Sequence, residues 1–288
     1  MNPRFAVIGG SNAFRFINDR ELKSSEEIDT PFGRSSPVFH FKSSASEFIF
    51  LSRHGTRGYD ISAPFVNYRA NIYALKELGV ENILAWSGPG AIEGPFDVGD
   101  FVVPDDIIDE TRRRHSTFYE STGLGFIRQS PVFCPDLSRT LLSVLEELKL
   151  KHKAGGTYVC TEGPRLETTA EIRKYKLIGG NLVGMTLAPE CFLAKELEVC
   201  YVPLCYITNY AEGANPAEYR EGELFEGLVS KSEGREVEQS VKKISSILDT
   251  FSSRINNRAR TCPCSRSMER YRRSGIIGDD WHTWFGVV

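Results

Sequence analysis

One stretch combines a reactive group with a placement suited to a ligand. An apolar run from Thr157 to Cys160 stops at Gly163-Pro164, and a charged, Thr-rich segment then opens a helix, leaving the carboxylate of Glu167 at the lip between strand and helix. Ligands of α/β proteins lie at such strand ends. Thr168 followed by Glu171 reads as a capping box that starts the helix. Three other strand ends carry groups that suit an anion. Gly9-Gly10-Ser11 follows the first apolar run, so backbone N–H groups and the Ser11 hydroxyl can hold negative charge there. Arg53 and His54 close a second run and can donate several hydrogen bonds to one anion. Ser87-Gly88-Pro89-Gly90 closes a third. Hydroxyls, a guanidinium, an imidazole and glycine turns at successive strand ends suggest a shared oxyanion pocket. The G-x-G-x-x-G spacing is absent after the first strand, which argues against a dinucleotide cofactor.

These groups need a sheet to hold them. Phe5 to Ile8, Phe48 to Leu51, Asn82 to Trp86 and Tyr201 to Ile207 are short apolar runs that read as buried strands. Residues 36 to 52 read as two strands joined by a polar hairpin around Lys42 to Ser46, and Val98 to Pro104 as a turn and strand. Helical spacing appears from Asn67 to Leu78 (stopped by Gly79), Leu137 to Leu148, Ala170 to Ile178, Pro189 to Glu198 and Val237 to Ile255. Leu182 to Thr186 reads as a strand and turn. The alternation predicts a single α/β domain, residues 1–251. Residues 109–134 read as a polar, irregular loop beside the site or at a subunit contact, with the basic run Arg112-Arg113-Arg114 as a solvated face. Residues 252–288 form an Arg-rich tail with a Cys-Pro-Cys motif at Cys262 and Cys264, expected to meet a neighbouring subunit or to be disordered.

Composition excludes several classes. The 288 residues are 41% hydrophobic and 25% charged, enough for a sizeable core. A net charge of -3 argues against a general nucleic-acid binder, so nucleic acid is not an expected partner. No window is apolar over the roughly 18 residues that a membrane span needs. The first residues form too short an apolar run for a secretory signal. Cys134, Cys160, Cys191, Cys200 and Cys205 are scattered and read as reduced core residues, so the expected compartment is the cytoplasm. Cys262 and Cys264 alone make an incomplete zinc site; two surface thiols remain a reading beside it.

Taken together, Val7 to Ser11, Ser52 to Gly55, Asn67 to Asn71, Thr161 to Arg165, Gly184-Met185-Thr186 with Pro189-Glu190, and Thr208-Asn209 resemble the purine nucleoside phosphorylase family that includes methylthioadenosine phosphorylase. The resemblance spans about residues 3 to 251. It implies a mixed central sheet flanked by helices, a phosphorylase-type single domain, assembled as a homotrimer or a dimer of trimers. The implied reaction is purine salvage by phosphorolysis: inorganic phosphate attacks C1′ of the nucleoside and releases the free base and a ribose 1-phosphate. Neither a metal nor an organic cofactor is implied. Phosphate would be held by Ser11, Arg53, His54, Ser87, Gly88 and Thr186, with Asn209, Arg53 and His54 as the catalytic set. Met185 would pack on the ribose, and Leu166 and Ala211 would line the base site. Cys262-Pro-Cys264 resembles a C-x-C of thermophilic relatives that can form a disulfide.

The resemblance also bears on base choice, with Glu167 and Gly222 as specificity positions. Members that prefer 6-oxopurines carry an Asn where Asn209 stands and a Glu where Glu167 stands. Asn can donate to a 6-oxo group, and Glu can accept from the ring N–H of hypoxanthine or guanine. A 6-aminopurine lacks that proton, and an unpaired buried acceptor costs about 1–3 kcal/mol. Inosine, guanosine and methylthioinosine are therefore the expected substrates, ahead of methylthioadenosine. Leu224, Phe225 and Leu228 could favour a 5′-methylthio group. A noncatalytic nucleoside- or nucleic-acid-binding relative using the Arg-rich tail is the reading from another class, and base release by water a further one.

Overall fold

A computed structural model describes residues 3–10, 21–42, 47–56, 59–215, 219–222, 227–256 and 259–285. In chain order the strands are β1 (Phe5–Gly9), β2 (Glu21–Glu26), β3 (Asp29–Thr30), β4 (Gly33–Arg34), β5 (Val38–Lys42), β6 (Glu47–Ser52), β7 (Asn82–Ser87), β8 (Gly90–Ala91), β9 (Phe101–Val103), β10 (Asp106–Glu110), β11 (His152–Ala154), β12 (Thr157–Thr161), β13 (Leu182–Gly184), β14 (Cys200–Tyr206) and β15 (Asn209–Tyr210). The helices are α1 (Tyr68–Glu77), α2 (Pro135–Glu147), α3 (Thr169–Leu177), α4 (Glu190–Glu196), α5 (Lys231–Ile255) and α6 (Glu269–Arg273).

The large sheet runs β11-β9-β14-β7-β1-β6-β5-β2, and a smaller one runs β10-β12-β13-β8-β15. β1 pairs in parallel with both β6 and β7, with Val7 opposite Phe50 and Leu84, whereas β5 pairs antiparallel to β6 and β14 antiparallel to β9. The sheet is therefore mixed, as expected. Its central strands are buried on both faces, which is why they read as unbroken apolar runs. Alternate residues still divide between two apolar layers. Ala6, Ile8, Ile49, Leu51, Ile83 and Ala85 face one layer with α1 and α4, while Phe5, Val7, Phe48, Phe50, Leu84 and Trp86 face the other with α2 and α5.

The two sheets share continuing chain. β7 passes into β8, β9 into β10, β11 into β12 and β14 into β15, each across a break of a few residues. The crossing from β11 to β12 uses Gly155 and Gly156, at φ +85° and +109°, a region where a side chain is strained. Two of the other crossings, after β7 and after β14, lie side by side and carry Ser87 and Asn209.

Helix starts follow the sequence signals. Thr168 accepts from the Glu171 amide at 3.2 Å, and Glu171 accepts from the Thr168 amide at 2.8 Å, completing the expected capping box. α5 begins at Lys231, ahead of Val237, because Ser230 and Glu233 form a second capping box before the apolar spacing starts. The expected hairpin tip at Lys42 to Ser46 lies, beyond Lys42, outside the described residues.

The C-terminal segment corrects an expectation. It is not loose over its described residues: Met268, Tyr271, Trp284 and Phe285 are buried in the same core as α1 and α4. Phe285 meets Phe32 and Phe118 at ring distances of 5.5 Å each, and Arg272 is hydrogen-bonded to Glu198 at 2.9 Å. Arginine dominates the segment's composition and masks Met268 and the three buried aromatic residues that anchor it. Among the described residues no helix is long and apolar enough to cross a membrane.

Candidate active site

The end of β7 and the end of β14 meet face to face. Gly88 is required there, since a Cβ on it would lie 2.7 Å from Thr208 Cγ2. Gly90 pairs with Asn209 in the small sheet, and a Cβ on Gly90 would stand 3.1 Å from Asn209 Nδ2. Beside this junction three hydroxyls converge: Ser87 Oγ is 3.0 Å from Tyr158 OH and 3.3 Å from Thr186 Oγ1. Tyr158 is fully buried under Gly184, and burial raises its phenol far above its ordinary range, so it stays neutral. Neutral hydroxyls at a strand crossing can donate to an anion without carrying charge into the site.

Arg53 and His54 stand at the end of β6 beside this region. The Arg53 side chain is 1% exposed, and Glu190 at the start of α4 takes its Nε and Nη2 at 2.7 and 2.8 Å. Tyr201 OH donates to the same carboxylate at 2.7 Å. Burial opposes the Arg53 charge, but the Glu190 carboxylate outweighs it and holds the guanidinium above its ordinary range. The Glu190 pair uses two of the five guanidinium N–H groups, so the Nη1 group and the second Nη2 N–H are left for an anion, and Glu190 aims them. His54 Nδ1 lies 2.8 Å from Ile61 O, and burial, then the Arg53 charge, lowers its imidazole to about 4. A neutral ring donating through Nδ1 presents Nε2 as an acceptor. Ser11 lies outside the described residues; the ring of His54 packs 3.9 Å from where a Cβ of Gly10 would be.

The other end of the cluster is built by the segment after β12. Thr161 Oγ1 donates to Glu167 Oε1 at 2.6 Å. Burial raises the Glu167 carboxyl above its usual range, and the Thr161 hydrogen bond only partly offsets this. Met185 packs against Gly163, where a Cβ would sit 2.5 Å from its sulfur. Asn209 Oδ1 accepts from Thr208 at 2.7 Å and its Nδ2 donates to Tyr210 O at 2.8 Å, leaving one N–H and one lone pair. The chain beyond Asn209 returns to the Glu167 side: Ala211 is buried with the small sheet, and a Cβ on Gly213 would lie 2.6 Å from Thr169 Cγ2. Leu166 is 42% exposed at the rim.

Among the described residues, a Cβ on Gly222 would meet no atom within 4 Å. Leu224 and Phe225 lie outside the described residues.

Two residues escaped the sequence reading. Glu190 figured there as the start of a helix and in the resemblance, with no role assigned to it. Arg114 was expected on a solvated face, and that is corrected: its side chain is 1% exposed. It donates to the carbonyls of Met185 and Ala188 at 2.7 Å each, of Glu162 at 2.7 Å and of Thr161 at 3.0 Å. It therefore ties the loop bearing Glu167 to the loop bearing Met185 and Thr186. Its neighbours Arg112 and Arg113 are exposed, and nothing local distinguishes the three. Away from the cluster, the reading of the cysteines as scattered is also corrected, because Cys134 and Cys200 come together with Cys262 and Cys264.

Comparison with known proteins agrees with this geometry. Residues 4–251 match the family described as the phosphorylase superfamily. A 6-oxopurine nucleoside phosphorylase of Pyrococcus furiosus is 42% identical over 80% of this chain and 88% of its own. A probable S-methyl-5'-thioinosine phosphorylase of Methanothermobacter thermautotrophicus is 36% identical over 91% of this chain and 88% of its own. Among solved structures, a methylthioadenosine phosphorylase from an antarctic soil metagenomic library superposes with a TM-score of 0.82 at 27% identity, covering 92% of this chain and 91% of that one. With strand crossings, helices and sequence all in agreement over most of its length, this chain belongs to the phosphorylase superfamily.

Proposed function

We propose that the protein is a pentosyltransferase that cleaves purine nucleosides with inorganic phosphate, preferring 6-oxopurine bases with either a 5′-hydroxyl or a 5′-methylthio ribose. One observation carries this reading. A hydroxyl cluster of Ser87, Thr186 and Tyr158 stands at one end of the site, and a half-buried carboxyl with a side-chain amide, Glu167 and Asn209, at the other, with Met185 between the loops that bear them. Phosphate takes the hydroxyl end, joined by Ser11, the Gly88 backbone and the Nη1 edge of Arg53. A phosphate oxygen forms the new bond to C1′ as the C1′–N9 bond breaks, and the electron pair goes to the purine. Phosphate also sets negative charge beside the oxocarbenium-like sugar, so the protein's work is to position and desolvate it. Met185 packs on the ribose. Asn209 donates to or accepts from the purine at N7 and stabilises the leaving base.

Base preference rests on Glu167. An ionised Glu167 accepts from the N1–H of a 6-oxopurine and faces only an acceptor on a 6-aminopurine. The names carried by the Pyrococcus and Methanothermobacter relatives support this choice. The second reading, methylthioadenosine phosphorolysis, is favoured by the solved neighbours and by a 39% identical S-methyl-5'-thioadenosine phosphorylase of Pyrococcus furiosus. We place the enzyme in cytoplasmic purine salvage, as a homotrimer or dimer of trimers, without a cofactor in the reaction. The test is base release from inosine, guanosine, methylthioinosine and methylthioadenosine, with and without phosphate. Phosphate-dependent cleavage of the first three above the fourth is expected. Cleavage of methylthioadenosine alone overturns the base assignment, and release without phosphate overturns phosphorolysis.

A further inference from the structure

Cys262 and Cys264 by themselves are an incomplete metal site, but the fold supplies two more thiols. Cys134 precedes α2 and Cys200 opens β14, and both lie against the start of the C-terminal segment. The four sulfurs all fall within 4.8 Å of one another, with Cys200 and Cys262 at 3.2 Å. A tetrahedral zinc with Zn–S bonds of about 2.3 Å spaces its sulfurs roughly 3.8 Å apart, between those two values. Two separate disulfides need closeness only within each pair; mutual closeness of all four is what a single central ion needs. Cys134, Cys200 and Cys262 are buried and Cys264 is half-buried, a closed set with no room for a substrate position.

The surroundings also suit a thiolate-bound cation. Cys134 and Cys262 stand at the N-caps of α2 and of the short turn Pro263–Arg266. Arg260 donates Nη2 to Glu198 O at 2.6 Å and lies beside Cys200 and Cys262. Its buried Nε has no hydrogen-bond partner among the described residues. Four thiolates on a divalent ion leave a net charge of -2, and a guanidinium held against the sulfurs offsets it.

We propose that Cys134, Cys200, Cys262 and Cys264 form a structural zinc site that fastens the C-terminal segment to the start of α2 and the edge of β14. Binding forms four Zn–S bonds and releases the thiol protons to solvent. The site is remote from the nucleoside cluster in composition: none of its ligands belongs to the residues assigned to phosphate or base. Closed four-thiolate sites act by holding segments together rather than by activating water.

The test is metal analysis of the full chain, produced in zinc-replete medium and purified under reducing conditions without chelator. One equivalent of zinc per chain is expected, with Cys264, the half-buried member of the set, resisting alkylation until the metal is removed. Cobalt exchanged into the wild-type protein should show the visible bands and thiolate charge transfer of a tetrahedral sulfur site. Cys262→Ser with Cys264→Ser should abolish zinc retention, and Cys205→Ala should keep it. Arg260→Gln should weaken zinc affinity about 10–100-fold, the usual effect of removing an outer hydrogen bond. Because the double variant can fail to fold, the wild-type measurements stand alone. A wild-type chain free of metal, with Cys264 alkylated in the native state, overturns the proposal, and so does recovery of the four sulfurs as disulfides.

Discussion

The two ends of the proposed nucleoside site are built differently. At the phosphate end, Ser87 and Tyr158 are buried and hydrogen-bonded on strands, and Arg53 is locked by Glu190 and Tyr201. At the base end, Glu167 sits before a helix start, Leu166 is at the rim, and Asn209 closes on its own neighbours. Phosphate is the same molecule in every turnover, so a rigid, deeply supported seat suits it. Bases differ by single donors and acceptors, and these are read by a few side chains on loops, which can change without disturbing the core.

The largest expected break in this contrast is Glu190→Ala. It leaves a guanidinium in a dry core without its carboxylate, which should cost about 3–5 kcal/mol of stability by denaturant midpoint. Glu190→Gln should retain part of the orientation and show chiefly a raised KM for phosphate. A neutral effect of both would mean that the phosphate end is not held through Arg53. Thr186→Ala comes next. It should lower kcat/KM for phosphate about 10²-fold with an unchanged ratio between nucleosides, as expected for a donor that serves only the anion.

The base end should respond in the opposite manner. Glu167→Gln should leave stability and the phosphate KM nearly untouched while narrowing the inosine-to-methylthioadenosine ratio of kcat/KM by about 10–100-fold, the equivalent of 1–3 kcal/mol. An unchanged ratio would remove Glu167 from base choice. pH probes the same carboxyl. Burial raises its pKa, so protonation begins above the ordinary glutamate range. Below that point Glu167 becomes a donor facing a donor, and KM for inosine should rise as pH falls, but not in Glu167→Gln. The folding contribution has the opposite sense: a raised carboxyl pKa favours the folded state most below the unfolded value, and this is lost as pH rises through the folded one. The smallest effect is expected from Leu166→Phe. Stacking on the base should add about 0.5–1.5 kcal/mol, lowering nucleoside KM several-fold with no change at the phosphate end.

Much of the fold was legible because its signals are local. Phe5 to Ile8 and Tyr201 to Ile207 read as central strands since burial on both faces leaves no polar position. Thr168 and Glu171 announced α3 because a capping box lies within one turn. α5 was read short because Ser230 and Glu233 make their cap before the apolar period begins. The C-terminal segment was misjudged because charge counts outweigh a few well-spaced aromatics, although those aromatics are what docks it. In the candidate site, Ser87, Thr186, Glu167 and Asn209 were singled out from strand-end placement and resemblance. Arg114 was not, since three consecutive arginines differ only in which one the chain turns inward.

The sequence alone determined the kinds of chemistry available: hydroxyls and glycine turns for an anion, a carboxyl and an amide for a purine edge, thiols for a soft metal. Each is a property of a residue and its nearest neighbours. Tertiary structure decided how they are used. It set Glu190 against Arg53, a contact that takes up one edge of the guanidinium. It turned Arg114 into the tie between the Glu162 and Met185 carbonyls. It also brought Cys134 and Cys200 to Cys262 and Cys264. These contacts join segments far apart in the chain, and only the burial of the whole core, which no local pattern encodes, brings them into register.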